Sequence, residues 1–187
     1  MRIHITIRQI FAVALWVAMF GVVTNAFAQD LSGEFRAPAV GSKVTYMIDG
    51  EETVLEVTKQ DGFETRFSNN TGNYGVIQFI PDGARVDYST SDIESLWPLS
   101  VGKSVDYKAA WNGNSQNKSA KVVAIEDVTV PAGTFKTFRI EVTTRNKWYA
   151  DEATTWWSPE LGIMVKNEGK VTKGRSGGWH SELVKAN

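Results

Sequence analysis

Short runs of alternating apolar and polar residues, separated by turn signals, dominate the chain, and no long stretch keeps a 3.6-residue period. Period two is the signature of strands with one buried face. Val44, Tyr46 and Ile48 share one face of a first strand, and Leu55 and Val57 share a face of the next. Asp49-Gly50 lies between them. Asp-Gly is a favoured two-residue hairpin turn because both positions tolerate positive φ. The pair recurs at Asp61-Gly62 and Asp82-Gly83. Between these, Phe63, Thr65 and Phe67 alternate with polar residues, and Tyr74 to Ile80 is a mostly apolar run. Val86 and Tyr88 begin a return strand.

The segment from Ser89 to Lys103 breaks the rhythm. Ser91-Asp92 is placed to cap a single helical turn over Ile93 to Trp97, and Pro98, with no N–H, stops it. This segment reads as a crossover between two halves of one sheet. Val105, Tyr107, Ala109 and Trp111 then resume the alternation, and Asn112-Gly113 with the polar run to Lys118 reads as a loop. Lys121 to Val130 reads as a long strand ending at Pro131-Ala132-Gly133, and Phe138, Ile140 and Val142 share a face of its successor. Ala153 to Trp157, Ile163 to Lys170 and Gly178 to Val184 supply three more. So many strands seldom stay one flat sheet. The pattern therefore predicts an all-β fold. It is a single antiparallel meander sheet of about ten strands, strongly curved or forming an incomplete barrel.

The N-terminus follows a different rule. Arg2 and Arg8 precede an apolar run from Ile10 to Val23, and Ala26-Phe27-Ala28 presents small residues where a signal peptidase reads. The run is about 14 residues, short of the roughly 20 that a spanning helix needs. Residues 1–28 are thus expected to be a cleavable signal-peptide helix and residues 29–187 a single all-β domain, periplasmic or secreted, with no stable membrane span after cleavage. The chain has no cysteine. Disulfide frameworks, thiolate chemistry, Cys-based zinc sites and a cysteine lipid anchor are therefore excluded. Removing Arg2 and Arg8 leaves 18 basic against 21 acidic residues, a net charge of −3. No nucleic-acid footprint is implied. Lys166, Lys170, Lys173 and Arg175 cluster weakly, interrupted by Glu168, and read as a solvated strand face.

Conventional catalytic equipment is sparse. His180 is the one histidine beyond the signal peptide. Its neighbours Ser181 and Glu182 alternate between faces of a strand, which does not assemble a triad. A structural or surface role is favoured for it. One histidine and no cysteine leave only oxygen-rich metal sites, and Asp151-Glu152 and Glu51-Glu52 lack the spacing of a calcium loop. No phosphate loop, dinucleotide fingerprint or nucleophile elbow is present. No catalytic residue, metal site or cofactor is assigned. Asn69-Asn70-Thr71 and Asn117-Lys118-Ser119 fit glycosylation sequons, which matter only in a host with that machinery.

Aromatic residues carry more information. Trp156-Trp157, if both lie in a strand, place one indole on each face. One of them must then meet solvent, a ligand or a covering layer such as the Ser89–Lys103 segment. Tryptophan offers a broad apolar face and one N–H. Trp97, Trp111, Trp156 and Trp157 are the candidate ligand-binding residues.

Three segments resemble a known family. They are Trp97-Pro98-Leu99-Ser100-Val101-Gly102-Lys103-Ser104, Val128 to Thr137 with its Pro131-Ala132-Gly133-Thr134 turn, and Thr155-Trp156-Trp157-Ser158-Pro159-Glu160-Leu161-Gly162. Their order and spacing, mainly over residues 96–184, are similar to the TapB-like family of exported bacterial β-proteins of unknown function. That family is broadly similar to periplasmic lipoprotein carriers whose curved sheets hold acyl chains. The resemblance implies fold and offers no catalytic residues to carry over.

Together these readings predict an exported, non-enzymatic protein that binds a lipid or other apolar small molecule on a curved sheet. The alternatives are an envelope module that docks a protein partner and, less favoured, a hydrolase using carboxylates alone.

Overall fold

A computed structural model describes residues 31–69, 72–77, 86–88, 93–111 and 114–187. The signal peptide, the Ser91-Asp92 cap and the Asp82-Gly83 and Asn112-Gly113 turns lie outside the described residues. The strands are β1 (Lys43–Ile48), β2 (Glu51–Asp61), β3 (Glu64–Asn69), β4 (Gly72–Ile77), β5 (Val86–Tyr88), β6 (Ser104–Trp111), β7 (Asn114–Val130), β8 (Gly133–Arg145), β9 (Ala150–Ser158), β10 (Ile163–Lys173) and β11 (Gly178–Ala186).

All eleven form one sheet in the order β4-β3-β2-β1-β11-β10-β9-β8-β7-β6-β5. Pairing is antiparallel throughout. Each half is a meander, and the halves join where β1 pairs with β11. The first and last strands are thus neighbours at the centre, and β4 and β5 are the edges. A β4–β5 ladder would close an up-and-down barrel; none is made among the described residues, and the sheet stays open there, the incomplete barrel expected from strand number. The return strand β5 pairs with β6, Val86 opposite Trp111, while β4 pairs with β3.

Local chemistry explains much of this. Asp49 and Gly50 have φ of 48° and 90°, the two positive values that a tight hairpin turn requires. That turn puts Val44 opposite Leu55 and Lys43 opposite Glu56. Strand β7 begins earlier than its pattern predicts. Asn114 to Lys118 is a strand rather than a loop, with Trp111 opposite Asn114 and Tyr107 opposite Lys118. The polar side chains conceal a strand whose backbone is fully laddered to β6.

The buried hydrophobic residues form two clusters. The first contains Tyr107, Val122, Phe138, Ile140, Val142 and Trp157 from the strands, together with Ile93, Leu96, Trp97 and Leu99. Residues 93–99 therefore do not cross between halves of the sheet. They connect the adjacent strands β5 and β6 and lie over the sheet, because four large apolar side chains in seven residues must leave water. A helical turn starts this segment: Leu96 N–H donates to Ile93 C=O at 2.9 Å and Trp97 N–H to Glu94 C=O at 3.0 Å. Leu31 and Phe35 add to the same core, and Leu99 N–H donates to Gly33 C=O at 2.8 Å.

The second core gathers Val44, Tyr46, Val57, Phe67, Val130, Trp156, Ile163, Met164, Val165 and Leu183. The end of the β7–β8 hairpin packs on it through Val128, Ala132 and Phe135. Ala132 N–H donates to Leu183 C=O at 3.1 Å and fastens that hairpin to β11.

Candidate functional site

Of the tryptophans singled out by sequence, Trp97 and Trp157 come together and Trp156 lies apart from them. Trp157 is wholly buried in the first core and Trp156 nearly so in the second, at 0% and 8% exposure. Adjacent residues of one strand point to opposite faces, and each face here has a covering layer. Trp97 meets Trp157 edge-on, with ring centroids 6.2 Å apart, and also touches Phe35 at 5.7 Å and Phe63 at 5.4 Å. These rings form an aromatic plug. The Trp157 indole N–H, inside it, finds no acceptor among the described residues. Trp156 instead donates Nε1–H to Glu126 Oε1 at 2.6 Å, with Lys166 Nζ 4.9 Å from its ring centroid. Trp111 ends β6, opposite Val86 and Asn114.

The register of β6 to β9 brings other residues together. Tyr107 lies opposite Lys118, Lys118 opposite Thr144, and Thr144 opposite Asp151. Opposed residues share a face, so the four form one row across four strands. All are buried, at 4%, 6%, 2% and 9% exposure respectively. Lys118 and Asp151 each make bonded or electrostatic contacts. Their backbones are two strand spacings apart, about 10 Å. Gln116, also buried, continues the polar surface opposite Ala109. The next row along the same face is small and apolar: Val105, Ala120, Val142, Ala153 and Gly169 oppose one another in turn. Beyond it lie Ile140, Phe138 and Trp157 of the first core. One face of the sheet thus passes from aromatic, through small apolar, to polar.

A polar chain borders this face on β9 to β11. Trp179 Nε1–H donates to Asn167 Oδ1 at 2.6 Å, and Asn167 Nδ2–H donates to Thr155 Oγ1 at 2.7 Å. Gly169 permits it, since a Cβ there would overlap the Trp179 ring. Asn167 and Thr155 are completely buried, and their hydrogen bonds offset the cost of that burial.

The opposite face is charged and open. A groove of about 650 Å³ crosses β8 to β10 between Glu141, Glu152, Thr154, Glu168 and Lys170. Another of about 950 Å³ crosses β6 to β8 beside Asp106, Lys108, Asn117 and Arg145. His180 sits at the border, Nε2 3.2 Å from Glu182 Oε1 and Nδ1 3.9 Å from Glu168 Oε2. Lys166 competes for both carboxylates, at 3.3 Å from Glu168 and 4.0 Å from Glu182. Ser181, next in sequence, is buried on the other side. Among the described residues no group of His, Cys, Asp or Glu is arranged to hold a metal ion.

The polar row escaped the reading by residue type, although a signal for it existed. Gln116 and Lys118 have the parity of Ala120 and Val122, and Asp151 has that of Ala153, Thr155 and Trp157. Each is a polar residue in phase with a buried face.

Residues 104–178 match the DUF3108-like family model. The DUF3108-like stretch opens with β6 and closes on the first residue of β11, so it contains the whole polar row and both grooves. No curated protein matches the chain. Among solved structures, a Bacteroides fragilis protein described as exported, with a YmcC-like fold, aligns with a TM-score of 0.45 at 16% identity, covering 82% of this chain and 99% of that one. The hypothetical lipoprotein YmcC from Escherichia coli aligns with a TM-score of 0.47 at 10% identity, covering 84% and 93%. A Parabacteroides distasonis protein described as a lipoprotein aligns with a TM-score of 0.47 at 14% identity, covering 85% and 100%.

Proposed function

We propose that the protein is an exported, non-catalytic binding protein that takes an amphipathic molecule against the graded face of its sheet. The carrying observation is the buried row Tyr107–Lys118–Thr144–Asp151 beside the small apolar row Val105–Ala120–Val142–Ala153–Gly169. Lysine and aspartate are rarely buried unless paired, and their desolvation opposes folding. A domain that needed only stability would be better served by apolar residues there. An amphiphile explains the arrangement: its tail follows the small side chains and its polar head meets Lys118, Thr144 and Asp151. Apolar area removed from water supplies the affinity, at roughly 25 cal/mol per Å² before association costs. Export rests on the signal-peptide pattern of residues 1–28, and the TapB-like motifs fit the same exported class.

The test is titration of the purified protein with the fluorescent apolar probe N-phenyl-1-naphthylamine, followed by displacement with a long-chain fatty acid. Saturable one-to-one uptake is expected, and Ala120→Phe, which fills the small row, should abolish it. Lys118→Met should weaken the fatty acid at least tenfold while sparing an uncharged long-chain alcohol. A folded wild-type protein that takes up no probe would overturn the reading.

The edges of the sheet among the described residues favour a second reading. Strands β4 and β5 end the sheet, and an edge with free backbone groups is a template for an added strand from a partner. Backbone cross-linking to an envelope protein through β4 or β5, with the interior empty of lipid, would select it.

A further inference from the structure

Two turns at one end of the sheet carry only positive charge. Residues 145–150, around the β8–β9 turn, and residues 171–178, around the β10–β11 turn, contain Arg145, Lys147, Lys173 and Arg175 and no acid. All four are exposed. Beside the first turn the next acids are Asp151, which is buried, and Glu152, which meets Lys170 at 3.6 Å. Beside the second they are Glu168, 3.3 Å from Lys166, and Glu182, 3.2 Å from His180, with Asp49 Oδ1 accepting from His180 N–H at 2.8 Å where the β1–β2 turn begins. The chain separates the two pairs by more than 20 residues, and only the β9–β10 ladder sets them side by side, with Lys173 opposite Ala150.

The turns are built and fastened. Asn146 Oδ1 accepts from Trp148 N–H at 2.8 Å and Tyr149 N–H at 2.7 Å, and Asn146 N–H donates to Tyr149 C=O at 2.8 Å. Lys173 Nζ donates to Lys147 C=O at 3.0 Å and ties one turn to the other. The product is an indole held out into water. Trp148 is 73% exposed, the highest among the large hydrophobic side chains described, with Lys147 Nζ 4.6 Å from its ring centroid.

An exposed tryptophan on a rigid turn needs little further ordering when it binds. Its amphipathic ring suits the headgroup level of a bilayer, where tryptophan is enriched. Surrounding cations are attracted by anionic lipids, each contributing about fivefold in affinity. The geometry points to this end of the sheet as a docking surface for an anionic phospholipid bilayer. Trp148 enters the headgroup layer, and Arg145, Lys147, Lys173 and Arg175 face the phosphates. The surface works whether or not the interior holds a ligand, because it shares no residue with the buried row.

Co-sedimentation of the purified protein with vesicles tests this. One set contains equal amounts of phosphatidylglycerol and phosphatidylcholine, the other phosphatidylcholine alone. Binding to the anionic set should be at least about tenfold tighter and should fall as salt is added. Trp148→Ala should weaken it about tenfold, and Lys147→Ala/Lys173→Ala/Arg175→Ala together about a hundredfold. Near-ultraviolet circular dichroism checks folding, and if the triple variant loses its signal, Arg175→Gln alone should still give a measurable drop. Equal affinity for both vesicle sets, or variants that bind as wild type does, would overturn the assignment. So would binding that depends on the turn residues but is seen only with a soluble polyanion such as heparin.

Discussion

Single side chains secure the points where the regular ladder fails. The β10 register shifts between Met164 and Lys166, and there the Tyr46 hydroxyl donates to Met164 C=O at 2.6 Å. Burial pushes the Tyr46 hydroxyl well above the ordinary tyrosine range. The neutral hydroxyl is favoured in the fold, so its contribution is fully present below about pH 10, the unfolded value, and is lost as pH rises beyond it. Tyr46→Phe should therefore cost about 1 kcal/mol at neutral pH and flatten the loss of stability above about pH 10. Urea melts of both proteins at pH 8 and at pH 10.5 would measure the difference; parallel losses would count against it. Gly169 is the corresponding point on the graded face. Gly169→Ala places a methyl where the Trp179 ring lies, so the indole must leave and its bond to Asn167 breaks. A destabilisation of about 1–3 kcal/mol is expected, with a red shift in tryptophan emission from the newly wet ring.

Among elements, the segment over residues 93–99 adds Ile93, Leu96, Trp97 and Leu99 to the first core. Leu96 is fully buried and Ser100 exposed. Leu96→Ala should cost about 2–5 kcal/mol by cavity formation, whereas Ser100→Ala should stay within about 0.5 kcal/mol. Thermal melts of the two variants distinguish a packed layer from a loose connection. The sequence pattern located this segment and its helical turn, because Ile93, Leu96 and Trp97 break the two-residue period. It misjudged the role, since nothing local says which strands a connection joins. The same limit explains β7. Asn114 to Lys118 has the backbone of a strand, yet its hydrophobicity does not alternate, and a lysine such as Lys118 is usually solvated. Turns were the most legible elements: Asp49-Gly50 needs positive φ at both positions, and that demand is written in two residues. Trp156 and Trp157 show an intermediate case. Their opposite directions followed from parity alone, but that both faces are covered depends on Leu96 and Trp97 on one side and the distant β7–β8 hairpin end on the other.

At the scale of the whole molecule, the feature with no local signal is the pairing of β1 with β11. Residues more than 130 positions apart in the chain lie in register, Ile48 opposite Ser181 and Tyr46 opposite Leu183, and Asn187 N–H donates to Lys43 C=O at 3.0 Å. This junction makes one sheet from two meanders and brings β1, β2 and β3 to the second core. Continuity of the ladder there should matter more than continuity of the chain between β4 and β5, where no described pairing is made. A circular permutant tests that ordering directly. A flexible linker of about 20 residues can span up to roughly 66 Å, enough to join Asn187 to Leu31. New termini placed within residues 78–85 interrupt none of the described ladders. This permutant should fold and melt cooperatively, with a midpoint within about 8 °C of the parent, the shift expected for roughly 1–2 kcal/mol. A permutant with the same linker but opened at Asp49-Gly50 divides the β1–β2 hairpin and should lose considerably more. If the two melt alike, the β1–β11 junction is not what unites the sheet.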